Sequence, residues 1–225
     1  MKRMSFDQPV RQVVHIAFDS TELIGDLYIP SEAKGLVIFA HGSASSRLSS
    51  RNIYVSEVLN HHNFATLLFD LLTNKEDERV ANRFNIELLS HRVKLAIEWH
   101  QQNALTNGLQ VGLFGASTGA AAALIAASEI RDNEVKAIVS RGGRIDMAYP
   151  VLTKIKAPTL LIVGQNDTGV REINEEAFLR LNCRKELAEI PYASHLFEEP
   201  HALERVAELA GNWFDLYLGG DYAPV

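Results

Sequence analysis

Leu113-Phe114-Gly115-Ala116-Ser117-Thr118-Gly119-Ala120-Ala121-Ala122-Ala123-Leu124 passes from an apolar run, through a serine between two glycines, into a run of small residues. The apolar part, Leu109–Phe114, reads as a buried strand, and residues 119–127 read as a helix. Small side chains let a helix axis come close to a sheet, which makes this the expected central helix. Glycines two before and two after Ser117 remove Cβ clashes where strand and helix approach each other. Ser117 then projects above the sheet, beside the first amides of the helix, where backbone N–H groups can stabilise a developing oxyanion. A plain strand-to-helix turn with a capping serine is the competing reading.

Working outward, continuous apolar runs recur at Gly35–Ala40, Phe64–Phe69, Val135–Val139 and Thr159–Val163, with a last strand candidate at Glu186–Ile190. Continuous rather than alternating runs belong to strands covered on both faces. Helical spacing lies between them, in Ile86, Leu89, Val93, Ala96 and Ile97, and again in Leu203, Val206, Ala207, Ala210, Trp213, Phe214 and Tyr217 behind Glu198-Glu199-Pro200. Val13–Phe18 and Leu23–Pro30 around Asp19-Ser20-Thr21 predict an N-terminal antiparallel hairpin. The expectation is an α/β three-layer sandwich: a mostly parallel twisted sheet with helices on both faces. The charged stretch Thr73–Arg79 is the expected mobile loop.

Composition narrows the function. At 225 residues, 47% hydrophobic and 22% charged, the chain fits a single globular domain over 1–225. A net charge of -6 disfavours nucleic acid as a partner. No apolar run reaches the roughly 18 residues of a membrane span. Met1–Pro9 lacks the apolar stretch of a signal peptide, so the cytoplasm is the expected compartment. Cys183 is the one cysteine, so no internal disulfide can form, and with no nearby base in sequence it is expected to be inert. No P-loop or G-x-G-x-x-G occurs, and no cofactor is expected.

A serine hydroxyl needs a base, and the base needs an orienting group. In a parallel sheet, ligands bind at the carboxyl ends of the strands. Asp167, just past Thr159–Val163, and His195, just past Glu186–Ile190, supply the order Ser, acid, His at that edge. Asp70 and Asp146 compete as acids. Asp70 reads as a turn residue and Asp146 as a helix cap. The other histidines form no H-E-x-x-H motif and no Cys/His cluster, so no metal site is expected. Among them, His61 and His62 read as solvated, His201 as part of the last helix, and His41 as a satisfied buried histidine. The bend at His41-Gly42-Ser43 turns an N–H toward the serine, so the amides of Ser43 and Thr118 are the expected oxyanion hole. Ser45–Asn52 reads as a polar, exposed stretch. Arg47, Arg51 and Arg141 lie near enough in the pattern to be candidate substrate-binding residues for an anionic group.

Together, His41–Arg47, Phe69–Thr73, Gly115–Gly119, Ser140–Arg144 and Ala193–Pro200 resemble the α/β-hydrolase superfamily over nearly the whole chain. Within it, the chain is most similar to small dienelactone-hydrolase-like proteins. The resemblance implies that Ser117, Asp167 and His195 are catalytic and that Ser43 and Thr118 donate to the oxyanion. Dienelactone hydrolases use a cysteine nucleophile, whereas serine stands at 117, so the dienelactone substrate does not transfer with the name. Some relatives carry a phosphoribosyltransferase domain, for which residues 1–225 leave no room. Many insert a helical lid between the sixth and seventh strands. Here Ser140–Pro158 allows one short helix, so no lid and an open site are expected. The resulting expectation is a hydrolase of small carboxylic esters. Thioesterase, acyltransferase, small-peptide hydrolase or a non-catalytic binder on the same scaffold remain as alternatives. The physiological substrate and any homo-oligomer are left open.

Overall fold

The computed structural model describes residues 4–219; the charges of Lys2 and Arg3 lie outside them. An eight-stranded sheet forms the middle layer. Its strands are β2 (Val10–Phe18), β3 (Thr21–Ile29), β5 (Gly35–Ala40), β6 (Phe64–Phe69), β7 (Val111–Ala116), β8 (Val135–Arg141), β9 (Thr159–Gly164) and β10 (Lys185–Ile190), in the order β10-β9-β8-β7-β5-β6-β3-β2. The six strands from β10 to β6 run parallel, and the β2–β3 hairpin joins antiparallel at the β6 side. Two short strands, β1 (Met4–Ser5) and β4 (Glu32–Ala33), pair separately.

The helices cover both faces: α1 (Ser50–His61), α2 (Asn74–Asp77), α3 (Ile86–Gln102), α4 (Thr118–Glu129), α5 (Thr168–Arg180) and α6 (Ala202–Tyr217). β5 shows why its apolar run is unbroken. Leu36, Ile38 and Ala40 pack with the α3 and α4 residues Val93, Ala96 and Ala121, while Val37 and Phe39 pack with the α1 and α6 residues Val55, Leu59 and Val206. A strand buried on both faces leaves no position where a side chain stays in water, so its residues are almost all apolar. α4 sits at the centre of its layer, with all eight residues from Thr118 to Ala123, Leu124 and Ala126 buried. Between β8 and β9 the chain makes one 3₁₀ segment, Ile145–Lys154, and no inserted helical lid is present among the described residues.

Several boundaries differ from the sequence reading. The strand entering the Ser117 turn begins at Val111 rather than Leu109, because the Leu109 N–H is spent on the Thr106 carbonyl in a turn (2.8 Å). The 73–79 stretch is not a free loop. It holds α2, closed by a reciprocal capping box: the Glu76 N–H donates to Thr73 Oγ1, and the Thr73 N–H donates to the Glu76 carboxylate. The supposedly exposed serine run ends by capping α1 through Ser49, and Asn52 is buried. His201 precedes α6 in a left-handed conformation (φ 65°) instead of lying in its first turn.

Candidate active site

The site lies where β7, β9 and β10 end. Ser117 sits between β7 and α4 with φ 51° and ψ −121°, a conformation an L-residue adopts only when its surroundings enforce it. Three backbone bonds do so. The Ser117 N–H donates to the Arg141 carbonyl, and its own carbonyl accepts from Ala120 and Arg144 N–H, each at 3.1 Å. The flanking glycines are required by contact. A Cβ on Gly115 would strike the Ala120 backbone, and one on Gly119 would strike the carbonyls of Ala40 and His41. The Thr118 amide opens α4, among first-turn donors that have no intrahelical acceptor.

Asp167 occupies the N-cap position of α5, three residues past β9, with its side chain making no bond to the helix amides. His195 lies in the turn after β10. The two loops are laced together: the Asn166 N–H donates to the Ala193 carbonyl (2.9 Å), and the Asn166 side chain donates to the Tyr192 carbonyl (2.7 Å). His195 Nδ1–H donates to Asp167 Oδ2 at 2.6 Å. The Asp167 side chain is 16% exposed and that of His195 is 38% exposed, so the acid is sheltered while the imidazole faces outward. Ser117 and His195 line one pocket of about 210 Å³, with Ser43, Arg51, Arg141 and Leu196.

His41 is the satisfied histidine expected of it. Nε2 accepts from the Leu71 N–H (3.0 Å), Nδ1–H donates to the Gly42 carbonyl (2.9 Å), and burial lowers its pKa. That arrangement fixes a neutral ring and the bend leading to Ser43. Cys183 lies half-buried beside Thr159, and burial raises its thiol pKa, which suits an inert residue. Among the described residues no cluster suited to a metal is present, and no helix is long and apolar enough to cross a membrane.

Four expectations need correction. Arg47 is not in the Ser117 pocket. Its guanidinium is taken by Asp70 (2.6 Å) and Asp26 (3.0 Å), an arrangement that leaves it pinning the 43–47 loop to the sheet. Asp70 is therefore more than a turn residue, since it also accepts the Arg47 N–H (2.8 Å). Asp146 makes no helix cap; its carboxylate takes the Arg144 guanidinium in a two-pronged bond (3.0 and 2.8 Å). His62 is not simply solvated, because its ring bonds Asp215 of α6 at 2.6 Å. One supporting residue escaped the sequence reading. Glu199 accepts the Ser194 N–H (3.0 Å), that bond holds its carboxyl below the usual range, and the turn carrying His195 is thereby held. Its place in Glu198-Glu199-Pro200 signals only a helix start.

No family model matches the chain. Two curated proteins of Mycobacterium tuberculosis strains, provisionally named phosphoribosyl transferases, are 49% identical to it over 215 residues; the match covers 95% of this chain, which spans about half (48%) of their length. A solved dienelactone hydrolase from Anabaena variabilis is 52% identical, with a TM-score of 0.90, covering 94% of this chain and 99% of that one. The esterase domain of a Rhodothermus marinus protein shares the fold at 19% identity, with a TM-score of 0.75 and 93% and 100% coverage. An esterase of Pyrococcus furiosus does so at 19% identity, with a TM-score of 0.75 and 93% and 92% coverage.

Proposed function

The chain belongs to the α/β-hydrolase superfamily, with the dienelactone hydrolases, and on that premise we propose that it hydrolyses small carboxylic esters through a serine-bound acyl intermediate. Ser117 Oγ attacks the ester carbonyl while His195 Nε2 takes its proton. Asp167, bonded to Nδ1–H, keeps the imidazole in the accepting tautomer and offsets the charge it gains. The amides of Ser43 and Thr118 bind the oxyanion. The tetrahedral intermediate collapses, and His195 returns the proton to the departing alcohol. Water, deprotonated by His195, then releases the acid and restores the serine.

The observation that carries this reading is the 2.6 Å Asp167–His195 bond at the wall of the pocket that also holds the left-handed Ser117. A carboxylate-oriented imidazole beside a strained serine is what nucleophile activation requires, and a binding protein has no need of it. The transferase name belongs to proteins about twice the length of this chain. Around Ser117, the geometry favours acyl transfer to water instead.

The test is hydrolysis of p-nitrophenyl acetate by the wild type and by Ser117→Ala, with labelling by a fluorophosphonate probe. The variant is expected to lose at least about 10³-fold in kcat and all labelling. Turnover within ten-fold of wild type, or a folded wild type that resists the probe, would sink the mechanism.

A further inference from the structure

α5 turns an amide toward the core at a place where an apolar side chain is expected. Its buried stripe is Val170, Asn174 and Ala177, spaced i, i+4 and i+7, and Asn174 is fully buried. An amide taken out of water costs stability unless it is hydrogen-bonded, and this one is bonded on one side alone. Both Nδ2 hydrogens are committed: one to the Val170 carbonyl a turn earlier (2.7 Å), the other across to the Gly143 carbonyl (2.9 Å). Among the described residues, Oδ1 has no partner. A leucine would fill the same place and leave no polar atom of its own unpaired. What it would forgo is the bond to Gly143.

Gly143 lies in the turn after β8, and residues 142–144 touch two of the reacting groups. The Arg144 N–H donates to the Ser117 carbonyl (3.1 Å). Gly142, in the left-handed region (φ 54°), backs onto the imidazole, since a Cβ there would lie 3.4 Å from His195 Cε1 and Nδ1. Gly143 itself is wedged in place, because a Cβ on it would strike Ser140 Oγ and the Ala120 side chain. The third group stands on the helix. Asp167 occupies the N-cap position of α5, seven residues before Asn174. Seven residues are close to two helical turns, so both stand on one side of α5, about 10 Å apart along its axis.

We propose that Asn174 is a positioning residue for the Ser117–His195–Asp167 site: its amide locks α5, and with it Asp167, to the 142–144 turn that braces Ser117 and His195. α5 cannot slide or rotate Asp167 away from His195 Nδ1 (2.6 Å) without breaking the Gly143 bond. Misplacement by about 1 Å at a reacting centre costs on the order of a hundred-fold in rate. The rate effect rests on the ester hydrolase reading, whereas the geometry can be read without turnover. A second bond ties the same helix to the 3₁₀ segment, from the Tyr149 hydroxyl to the Ile173 carbonyl (3.1 Å). That bond involves neither the 142–144 turn nor the three reacting residues, so it serves as the structural control.

The experiment compares wild type, Asn174→Leu, Asn174→Ala and Tyr149→Phe on p-nitrophenyl acetate, each alone and combined with Asp167→Asn. Asn174→Leu is expected to lose about ten-fold or more in kcat, with KM within about two-fold and an unfolding midpoint close to that of wild type. Tyr149→Phe should keep kcat within about two-fold. Once Asp167→Asn has removed the carboxylate to be positioned, adding Asn174→Leu should cost less than about three-fold, a non-additivity that general loosening of the fold does not produce. The proton resonance of His195 Nδ1–H, assigned by its absence in His195→Gln, reads the same geometry directly. A short charge-assisted bond places it far downfield, and Asn174→Leu should move it upfield or broaden it away. Full kcat in Asn174→Leu, an equal loss in Tyr149→Phe, the same cost in both Asp167 backgrounds, or an unchanged resonance would overturn the lock. So would failure of both Asn174→Leu and Asn174→Ala to fold, which would make the residue a requirement of the fold instead. If the wild type hydrolyses no ester, the hydrolase reading falls while the resonance still decides: altered in Asn174→Leu it supports the lock, and unaltered it removes it.

Discussion

His100 illustrates what a single buried side chain does to the pH response of this molecule. It sits in the last turn of α3, 4% exposed, with Nδ1 unpartnered, and burial lowers its pKa to about 4. In the unfolded chain it titrates near 6.5. As pH falls below 6.5 the unfolded state takes up a proton that the folded state refuses until about pH 4. Folding stability from this group is therefore complete above pH 6.5 and is lost between 6.5 and about 4. One pKa unit is about 1.4 kcal/mol, which limits the loss to about 3 kcal/mol. His41, lowered in the same direction by burial, adds to it. Urea unfolding at pH 7 and at pH 4.5 checks this. Wild type should lose about 2 kcal/mol more than His100→Gln over that interval, and parallel losses would mean that the ring is not held neutral.

At the scale of elements, α2 shows how a charged stretch becomes ordered. Glu76 closes the capping box with Thr73 and also meets Arg92 Nη2 at 2.6 Å, from a position 27% exposed to one 6% exposed. The Arg92 guanidinium in turn lies 3.6 Å from the centre of the Phe18 ring. A four-residue helix far too short to persist alone is thus anchored to α3 and to the hairpin. Glu76→Ala removes the cap and leaves a buried guanidinium unpaired. The expected cost is about 2–3 kcal/mol, with new protease cleavage between 73 and 84, whereas exposed Lys75→Ala should change stability by less than about 0.5 kcal/mol. Unaltered cleavage in Glu76→Ala would show that the segment is held by something else. The same segment explains what sequence could and could not reveal. The inner strands β5 to β9 were legible because burial on both faces leaves nearly continuous apolar runs, and the hairpin because its residues alternate. α1 was faint because its inward side mixes Val55 and Leu59 with Asn52 and Ser56. α2 was hidden because its stabilising partner, Arg92, is 16 residues away and carries no local signature. Ser117, Asp167 and His195 stood out by their places at strand ends. The partners of Arg47 and of the Ser194 amide depend on tertiary contacts that no spacing rule encodes.

The whole molecule sets the limit on substrate length. The Ser117 pocket of about 210 Å³ is bordered by the loop after β5, and it shares Ser43, Ala44, Ser45 and Arg51 with a neighbouring hollow of about 430 Å³ that reaches the loop after β6. That hollow is walled largely by serines, Arg51, Asp77 and Arg83, with Leu48 as its one large apolar side chain. Between β8 and β9, the connection that could have carried a cover is the 3₁₀ segment Ile145–Lys154, whose buried residues pack into the core beneath. A methylene removed from water is worth about 0.8 kcal/mol, or about four-fold in kcat/KM, wherever an enzyme shelters it. A chain lying over serines and guanidiniums gains almost none of this and displaces their water. On p-nitrophenyl esters, kcat/KM is therefore expected to peak at two to four acyl carbons. It should be at least ten-fold lower at ten carbons than at four. A rise approaching four-fold per methylene through eight carbons would require an apolar channel, and the open, polar site would then have to close over its substrate. The same series on Leu48→Ser checks the one apolar wall. If longer chains lean on anything in this hollow it is Leu48, so the substitution should steepen the decline beyond four carbons and leave acetate unaffected.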